Sequence, residues 1–327
     1  MYDFAIAKKR SELYKNIRNF FDEKGYLEVD TPSLSDNLIP ENSIENFSSM
    51  FSNEFLLSKE FYLIPSPEVF MKKLFVQEDC PSIYQISKCF RNSEQLGKIH
   101  NPEFSMLEYY TKGFDEKASI TLTEQLFKAI NLEGCSPSLE KKFERITMCE
   151  AFSRFANLDL EKLQDYRELR KVAEKLSLID EKTKESWQDT FNRIFLTLIE
   201  TSLPKDHPVV LMDYPRQIEC LAKDEGFYKR RWELYVEGVE IANCYWEETN
   251  PDKIKNYYEK ERAIIYNQRA SSNRVIPDFD DGFYLNFDGN YPESSGVAIG
   301  LDRLLMLECR KQSLEGVILF PFSDMIY

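Results

Sequence analysis

Cys89-Phe-Arg-Asn-Ser-Glu-Gln-Leu-Gly-Lys-Ile-His-Asn-Pro-Glu-Phe-Ser-Met-Leu-Glu-Tyr-Tyr110 decides how the rest of the chain is read. Upstream, residues 82–91 alternate so that Tyr84, Ile86 and Phe90 share one strand face while Gln85, Ser87 and Arg91 share the other. Arg91 therefore ends a strand on its polar face. Downstream, Phe104, Met106, Glu108 and Tyr110 line one face of a second strand, and the polar, Gly- and Pro-containing residues between predict a long hairpin loop. The loop holds Arg91, Glu94, Lys98 and His100, one of only two histidines in the chain. A guanidinium fixed at a strand end, a carboxylate beyond it, a histidine and an aromatic ring suit an anionic ligand with a flat base, such as ATP. At this point a merely solvated, charged hairpin tip is the competing reading.

A second stretch, Gly296-Val-Ala-Ile-Gly-Leu-Asp-Arg-Leu-Leu-Met-Leu307, separates the two. Gly296 and Gly300 let backbone approach closely, and Asp302-Arg303 opens an apolar helix whose first turn would face the ligand. Together the stretches resemble the catalytic core of class II aminoacyl-tRNA synthetases, with Phe90-Arg91 through Glu108 similar to motif 2 and Gly296 through Arg303 similar to motif 3. Residues 4–23 carry Leu13, Ile17, Phe20 and Phe21 at helix spacing, Gly25 stops that helix, and Tyr26–Pro32 reads as a short strand. This pair resembles motif 1, which in the family builds the dimer interface. More narrowly the chain resembles the lysyl branch, and within it the stand-alone ligases that aminoacylate a lysine of elongation factor P. The implied fold is α+β, an antiparallel β-sheet flanked by helices. It forms a single catalytic domain over residues 1–327, with residues 115–205 a mostly helical elaboration. Motif 1 begins too early to leave room for an anticodon-binding barrel.

Composition narrows the partners. With 42 Lys and Arg against 56 Asp and Glu the net charge is −14, which disfavours tRNA and favours a basic protein partner. Seven cysteines without a Cys-x-x-Cys pair indicate buried thiols rather than a disulfide framework or a zinc site. No apolar run approaches membrane-spanning length, and the start lacks the apolar core of a signal peptide, so a cytoplasmic protein is expected.

The remaining segments fit around these. Residues 33–60 have little periodicity and read as loop. In Ser66-Pro67-Glu68 the serine suits an N-cap, the proline the first helical position and the glutamate the positive end of the helix dipole. Pro208–Pro215 reads as a buried strand, with His207 before it a loop residue. In Arg231–Glu248 a two-residue turn at Glu237-Gly238 would pair Tyr235 with Glu240 and bring Glu233 diagonally onto the same face. Like charges so placed call for a cation between them, and Mg²⁺ bridging ATP phosphates takes such oxygen ligands. Glu247 follows seven residues after Glu240, so sharing its face requires a bulge, expected near Asn243-Cys244, where relatives usually have glycine at the Cys244 position. A charged helix over residues 251–270 and an aromatic connector over residues 280–295 complete the chain.

The resemblance implies chemistry in two steps. An amino acid's carboxylate attacks the α-phosphorus of ATP to give an adenylate, and a lysine ε-amine of the acceptor then displaces AMP. It implies Arg91 at the α-phosphate and carboxylate, Arg303 at the γ-phosphate and one adenine face, Phe104 at the other face, His100 at the phosphates, and Glu233 with Glu240 at Mg²⁺. Family motif 2 runs Phe-Arg-Asn-Glu, whereas here Ser93 intervenes and Glu94 becomes the displaced carboxylate of the ATP site. For the substrate, the implied contacts are Ser66 and Glu68 near the α- or β-amino group, Glu247 with Tyr110 near the distal ammonium, and Asn243 at the carboxylate. These describe lysine or β-lysine. Ala298 stands where lysyl-tRNA synthetases have glycine and where the elongation factor P enzymes have alanine. The alternatives are a truncated lysyl-tRNA synthetase, a non-catalytic adenylate-binding regulator, and an amidating relative that shares the core.

Overall fold

The computed structural model describes residues 3–92, 97–289 and 291–326. Glu94 and Ser93 lie outside them. The chain opens with α1 (Phe4–Glu23), capped by the Asp3 carboxylate and ended before Gly25, whose φ of +76° suits glycine. Strand β1 (Leu27–Glu28) follows and pairs in parallel with β5 (Ile83–Phe90), which turns back antiparallel into β6 (Glu103–Lys112). Residues 33–60, expected to be loop, instead form most of a small separate sheet of β2 (Leu34–Ser35), β3 (Ser48–Asn53) and β4 (Leu56–Leu63). Its hairpin is exposed along β3, so no buried face imposed the alternation by which strands are recognised.

Helix α2 (Glu68–Phe75) starts one residue later than expected. Pro67, not Ser66, is its N-cap position, and no side chain caps it. After α3 (Glu116–Ile130) come a short strand β7 (Glu144–Thr147) and the helices α4 (Met148–Ala156), α5 (Tyr166–Lys175) and α6 (Trp187–Ile194). The expected helical elaboration thus contains one strand, and β7 ties it to β8 (Val209–Pro215) in parallel. Phe152, Leu169, Phe191, Ile194 and Leu211 bury this region in a core of its own.

The main sheet is completed by β9 (Asp224–Glu225), β10 (Tyr228–Val236), β11 (Val239–Trp246) and, beyond α7 (Pro251–Arg269), β12 (Ser294–Gly300). Its order is β1-β5-β6-β12-β11-β10-β8-β7, with β9 paired to β10. The six inner strands are antiparallel, and a parallel pair closes each end. Alternation divides the sheet into two faces. Leu107, Tyr109, Ala242, Cys244, Val297 and Ile299 pack on the helical layer of Leu13, Ile17, Phe21, Ile120, Phe127 and Leu304. The last of these belongs to α8 (Leu301–Glu308). The chain closes with α9 (Ser323–Ile326). Among the described residues no helix is long and apolar enough to cross a membrane.

His207 precedes β8 and joins the helical region to the sheet. Its Nδ1 lies 2.8 Å from Asp206 Oδ1 and its Nε2 2.8 Å from Glu144 Oε2, at the start of the β7–β8 pairing. Glu144 and Asp206 hold the imidazolium above the ordinary value of 6.5, against partial burial. A raised folded value means that this contribution is complete below about pH 6.5 and is lost as pH rises through the folded value. The melting temperature of the native chain should therefore exceed that of His207→Gln by more at pH 6 than at pH 9. A difference that stays constant across that range would show that the charged imidazole does not brace this junction.

Candidate active site

The opposite face of the sheet carries the residues singled out in the sequence. The Glu237-Gly238 turn has φ of +55° and +79°, the signature of a type I′ hairpin, and sets Tyr235 opposite Glu240 as expected. The bulge is present but lies earlier than Asn243-Cys244. Register passes from Tyr235↔Glu240 to Leu234↔Ala242, so the additional residue is Ile241. Cys244 sits in regular register on the core face, its Sγ 3.1 Å from Ser119 Oγ, and needs no glycine-like freedom. The displaced phase puts Glu240, Asn243, Tyr245 and Glu247 on one face with Glu233.

Across the middle of this face runs β12, whose outward residues are Gly296, Ala298 and Gly300. Ala298 is flanked by Glu108 on β6 and Asn243 on β11, and Gly296 by Tyr110 and Tyr245. Three small residues between two rows of large ones leave a trough. Its depth depends on glycine, because a Cβ at Gly296 would come 2.3 Å from Glu247 Oε1 and 2.6 Å from Tyr110 Cε1.

Two cavities occupy the trough end to end. One, of about 210 Å³, is walled by Arg91, His100, Phe104, Glu240, Gly300 and Arg303 among others. The other, of about 200 Å³, is walled by Glu41, Ser66, Glu68, Glu108, Tyr110, Glu247 and Gly296 among others. Arg91, Met106, Asn243 and Ala298 line both. In the first cavity the Arg91 guanidinium lies 5.2 Å from the Phe104 ring centroid, and among the described residues its buried Nε has no hydrogen-bond partner. Arg303 donates from Nε to Ile99 O (3.1 Å) and from Nη1 to the Glu240 carbonyl (2.8 Å), which fixes it in the first turn of α8. Asp302 secures that turn by accepting from Arg10 Nη1 and from the Ser105 amide, both at 2.6 Å.

Glu233 is not in the wall of this cavity. It accepts from the Tyr214 (2.6 Å) and Tyr235 (2.8 Å) hydroxyls and pairs with Arg231. Burial and the neighbouring Glu233 charge raise Glu240 to about 7, although 39% of its side chain is open to the cavity. Among the described residues no group of three or more His, Cys, Asp or Glu side chains is arranged to hold a metal ion.

The second cavity is a carboxylate pocket whose ammonium partner is partly supplied from within. Lys72, 1% exposed, places Nζ 2.6 Å from Glu68 Oε1 and 2.7 Å from Glu247 Oε2. Burial opposes its charge, yet Glu247 and Glu68 hold it well above the ordinary lysine range. Glu108 is raised to about 8 by burial and by Glu68. One of its oxygens accepts from the Tyr110 hydroxyl (2.8 Å), while Oε2 is buried without a partner. Reasoning from the sequence did not assign Lys72, Glu108, Glu41 or Asp302 to the site. Lys72 had a signal in its i,i+4 spacing from Glu68, and Glu108 in its alternation with Met106 and Tyr110. Glu41, in an aperiodic loop, had none.

The chain is similar over nearly its whole length to known proteins. The family model for tRNA synthetases class II (D, K and N) matches residues 4–324. An elongation factor P–(R)-β-lysine ligase from Hamiltonella defensa is 31% identical over 318 residues, covering 96% of this chain and 94% of that protein. The protein of the same name from Proteus mirabilis is 32% identical over 323 residues, covering 97% and 95%. A lysine–tRNA ligase from Pelotomaculum thermopropionicum is 31% identical over 330 residues, and the match spans 63% of its length.

Removing Lys72 leaves Glu68 and Glu247 facing each other without a cation. Lys72→Met should lower the unfolding free energy by about 3 kcal/mol. Burial raises Glu247 to about 7 even with Lys72 present, so the folded variant resists its charged form and the loss should grow as pH rises from 6 to 8.5. Urea unfolding at the two pH values measures this. A loss independent of pH would assign Lys72 a packing role alone.

Proposed function

Because the chain belongs to the class II (D, K and N) tRNA synthetase family, we propose that it activates lysine or (R)-β-lysine with ATP and transfers the aminoacyl group to a lysine side chain of elongation factor P. The observation that carries this reading is the junction of the two cavities at Arg91, Met106, Asn243 and Ala298. There a cleft with two arginines and an aromatic ring meets a pocket of carboxylates. The names of the Hamiltonella and Proteus relatives, both matched over nearly their whole length, support the acceptor and the amino acid.

In the first step a carboxylate oxygen of the amino acid bonds to the α-phosphorus, and the bond from that phosphorus to the bridging oxygen breaks, releasing pyrophosphate. The nucleophile is already anionic, so alignment and charge neutralisation suffice without a general base. Arg91, lining both cavities, would hold the carboxylate against the α-phosphate, with Asn243 beside it. Phe104 and Arg303 would enclose adenine, with Arg303 and His100 at the outer phosphates. Glu68 with Ser66 would receive the α- or β-amino group, and Glu247 with Tyr110 the distal ammonium. In the second step the acceptor's ε-amine gives up its proton, attacks the carbonyl carbon and expels AMP.

Glu240, joined by Glu233 once that carboxylate is released from Arg231, fits Mg²⁺ in donor chemistry. Both offer hard oxygens, and the repulsion that raises Glu240 is of the kind a divalent cation relieves. With two protein donors the remaining coordination would come from nucleotide and water. The ion's chemistry there is neutralisation of phosphate charge. A cytoplasmic location and a homodimer belong to the same reading, the dimer supported by the exposed apolar residues Leu27 of β1, Leu34 of β2, and Met50 and Phe51 of β3.

Intact-mass analysis of elongation factor P after incubation with the protein, ATP, Mg²⁺ and either lysine isomer tests the proposal. A lysyl-sized gain that Arg303→Ala abolishes is expected. Charging of tRNA without that gain would replace the proposal with a lysyl-tRNA synthetase, and no product in either assay would point to a regulator. Ala298 adds one methyl at the cavity junction. Ala298→Gly should shift the ratio of kcat/KM values towards α-lysine by about 1–3 kcal/mol, and an unchanged ratio would remove Ala298 from substrate selection.

A further inference from the structure

Glu41 lies on the loop between β2 and β3 and lines the carboxylate pocket. The loop is fixed where it leaves Glu41. The Asn42 amide donates to Glu261 Oε2 (2.7 Å), Arg269 Nη2 donates to the carbonyls of Asn42 (3.2 Å) and Ile44 (2.7 Å), and the Asn92 amide donates to Glu45 O (2.8 Å). These contacts brace the backbone and leave the Glu41 carboxylate without a hydrogen bond or ion pair among the described residues. Glu68 is its strongest charged neighbour, followed by Arg91 and Glu261. Lys72 already pairs with Glu68 and Glu247, one positive charge shared between two carboxylates, and Arg91 faces the cavity junction. Among the described residues, the pocket carboxylates without an ion pair are Glu41 and Glu108, whose buried Oε2 has no hydrogen-bond partner.

Held beside Glu68 and Arg91 on a braced loop, and lacking a cation of its own, Glu41 points to a role that no comparison assigns. We infer that Glu41 is a substrate-binding residue that receives the amino group nearest the reacting carboxylate and so selects a diamino acid over an ω-amino acid. The inference rests on the function proposed above and extends it. One internal cation is shared by Glu68 and Glu247, so holding both ammonium groups of a diamino acid calls for a further carboxylate, which Glu41 supplies. Glu68 and Glu41 bracket that ammonium, and the charge-assisted contact replaces mutual repulsion with attraction.

A cycle between the protein and the ligand tests this. Binding of L-α-lysine, (R)-β-lysine and 6-aminohexanoate, which lacks the inner amino group, is measured calorimetrically for the native chain and for Glu41→Gln. Glu41→Gln should weaken the two diamino acids about ten- to a hundredfold and weaken 6-aminohexanoate at least tenfold less. Its ligand-free melting temperature should also rise, because an uncompensated charge has been removed. Equal weakening of all three ligands together with a lower melting temperature would make Glu41 a structural residue and overturn the inference. Undiminished diamino-acid binding by the variant would overturn it as well. If the native chain binds neither lysine isomer, the proposed function itself falls and takes the inference with it.

Discussion

A single additional residue in β11 sets the phase of the site. Strand periodicity is two, so Glu240 and Glu247, an odd number of positions apart, would face opposite sides of the sheet in a regular hairpin. Ile241 absorbs the mismatch, and from Ala242 onward the strand runs in a new register against β10. Asn243, Tyr245 and Glu247 therefore join Glu240 over the trough, while Ala242 and Cys244 turn to the core. Bulges leave ladder groups unpaired. Here the Glu240 carbonyl beside the bulge accepts from Arg303, so the irregularity that aims the carboxylates also anchors the arginine. One local feature couples the two halves of the site to the helix that follows β12.

The trough in turn depends on what β12 omits. Gly296, Ala298 and Gly300 present at most a methyl group to a space bordered by Met106, Glu108 and Tyr110 on one side and Asn243, Tyr245 and Glu247 on the other. The near-collision that a Cβ at Gly296 would make shows how completely the flanking side chains lean over that strand. The inward residues Val297 and Ile299 are fully engaged with the helical layer. Strand β12 thus carries function on one face and stability on the other, and Asp302, two residues beyond its end, bonds both α1 and β6.

Much of this was legible because it follows periodic rules. Alternation in β5, β6 and β10, the Glu-Gly turn, the helix spacing of Leu13, Ile17, Phe20 and Phe21, and the small residues of β12 each announce a local geometry. What escaped depends on contacts distant in sequence or on segments without a buried face. The β3–β4 hairpin has an exposed strand, so its composition does not alternate. The bulge position was misjudged because Cys244 was weighed as a replaced glycine, whereas packing against Ser119 accounts for it. Ser66 was expected to cap α2, but Pro67 stands at the cap position and Ser66 lines the carboxylate pocket instead. Glu41 reaches the pocket only because Glu261 and Arg269 of α7 hold its loop, a relation that no local pattern encodes.

The carboxylates around the trough explain how such a site stays folded without its ligands. Burying several like charges together is costly, and the chain limits the cost in two ways. Lys72 offsets part of the charge on Glu68 and Glu247 from inside. The remaining carboxyls respond by binding protons more tightly: burial and Glu68 raise Glu108 to about 8 and Glu41 to about 7, and burial and Glu233 raise Glu240 to about 7. Near neutral pH the ligand-free site therefore retains protons that these groups would not hold in water. A cation entering the pocket competes with those protons for the same oxygens, so its binding is linked to proton release. A neutral analogue of the same shape would forgo that exchange and leave the carboxyls protonated. Selection for positive charge thus follows from the repulsion the folded chain tolerates in its absence.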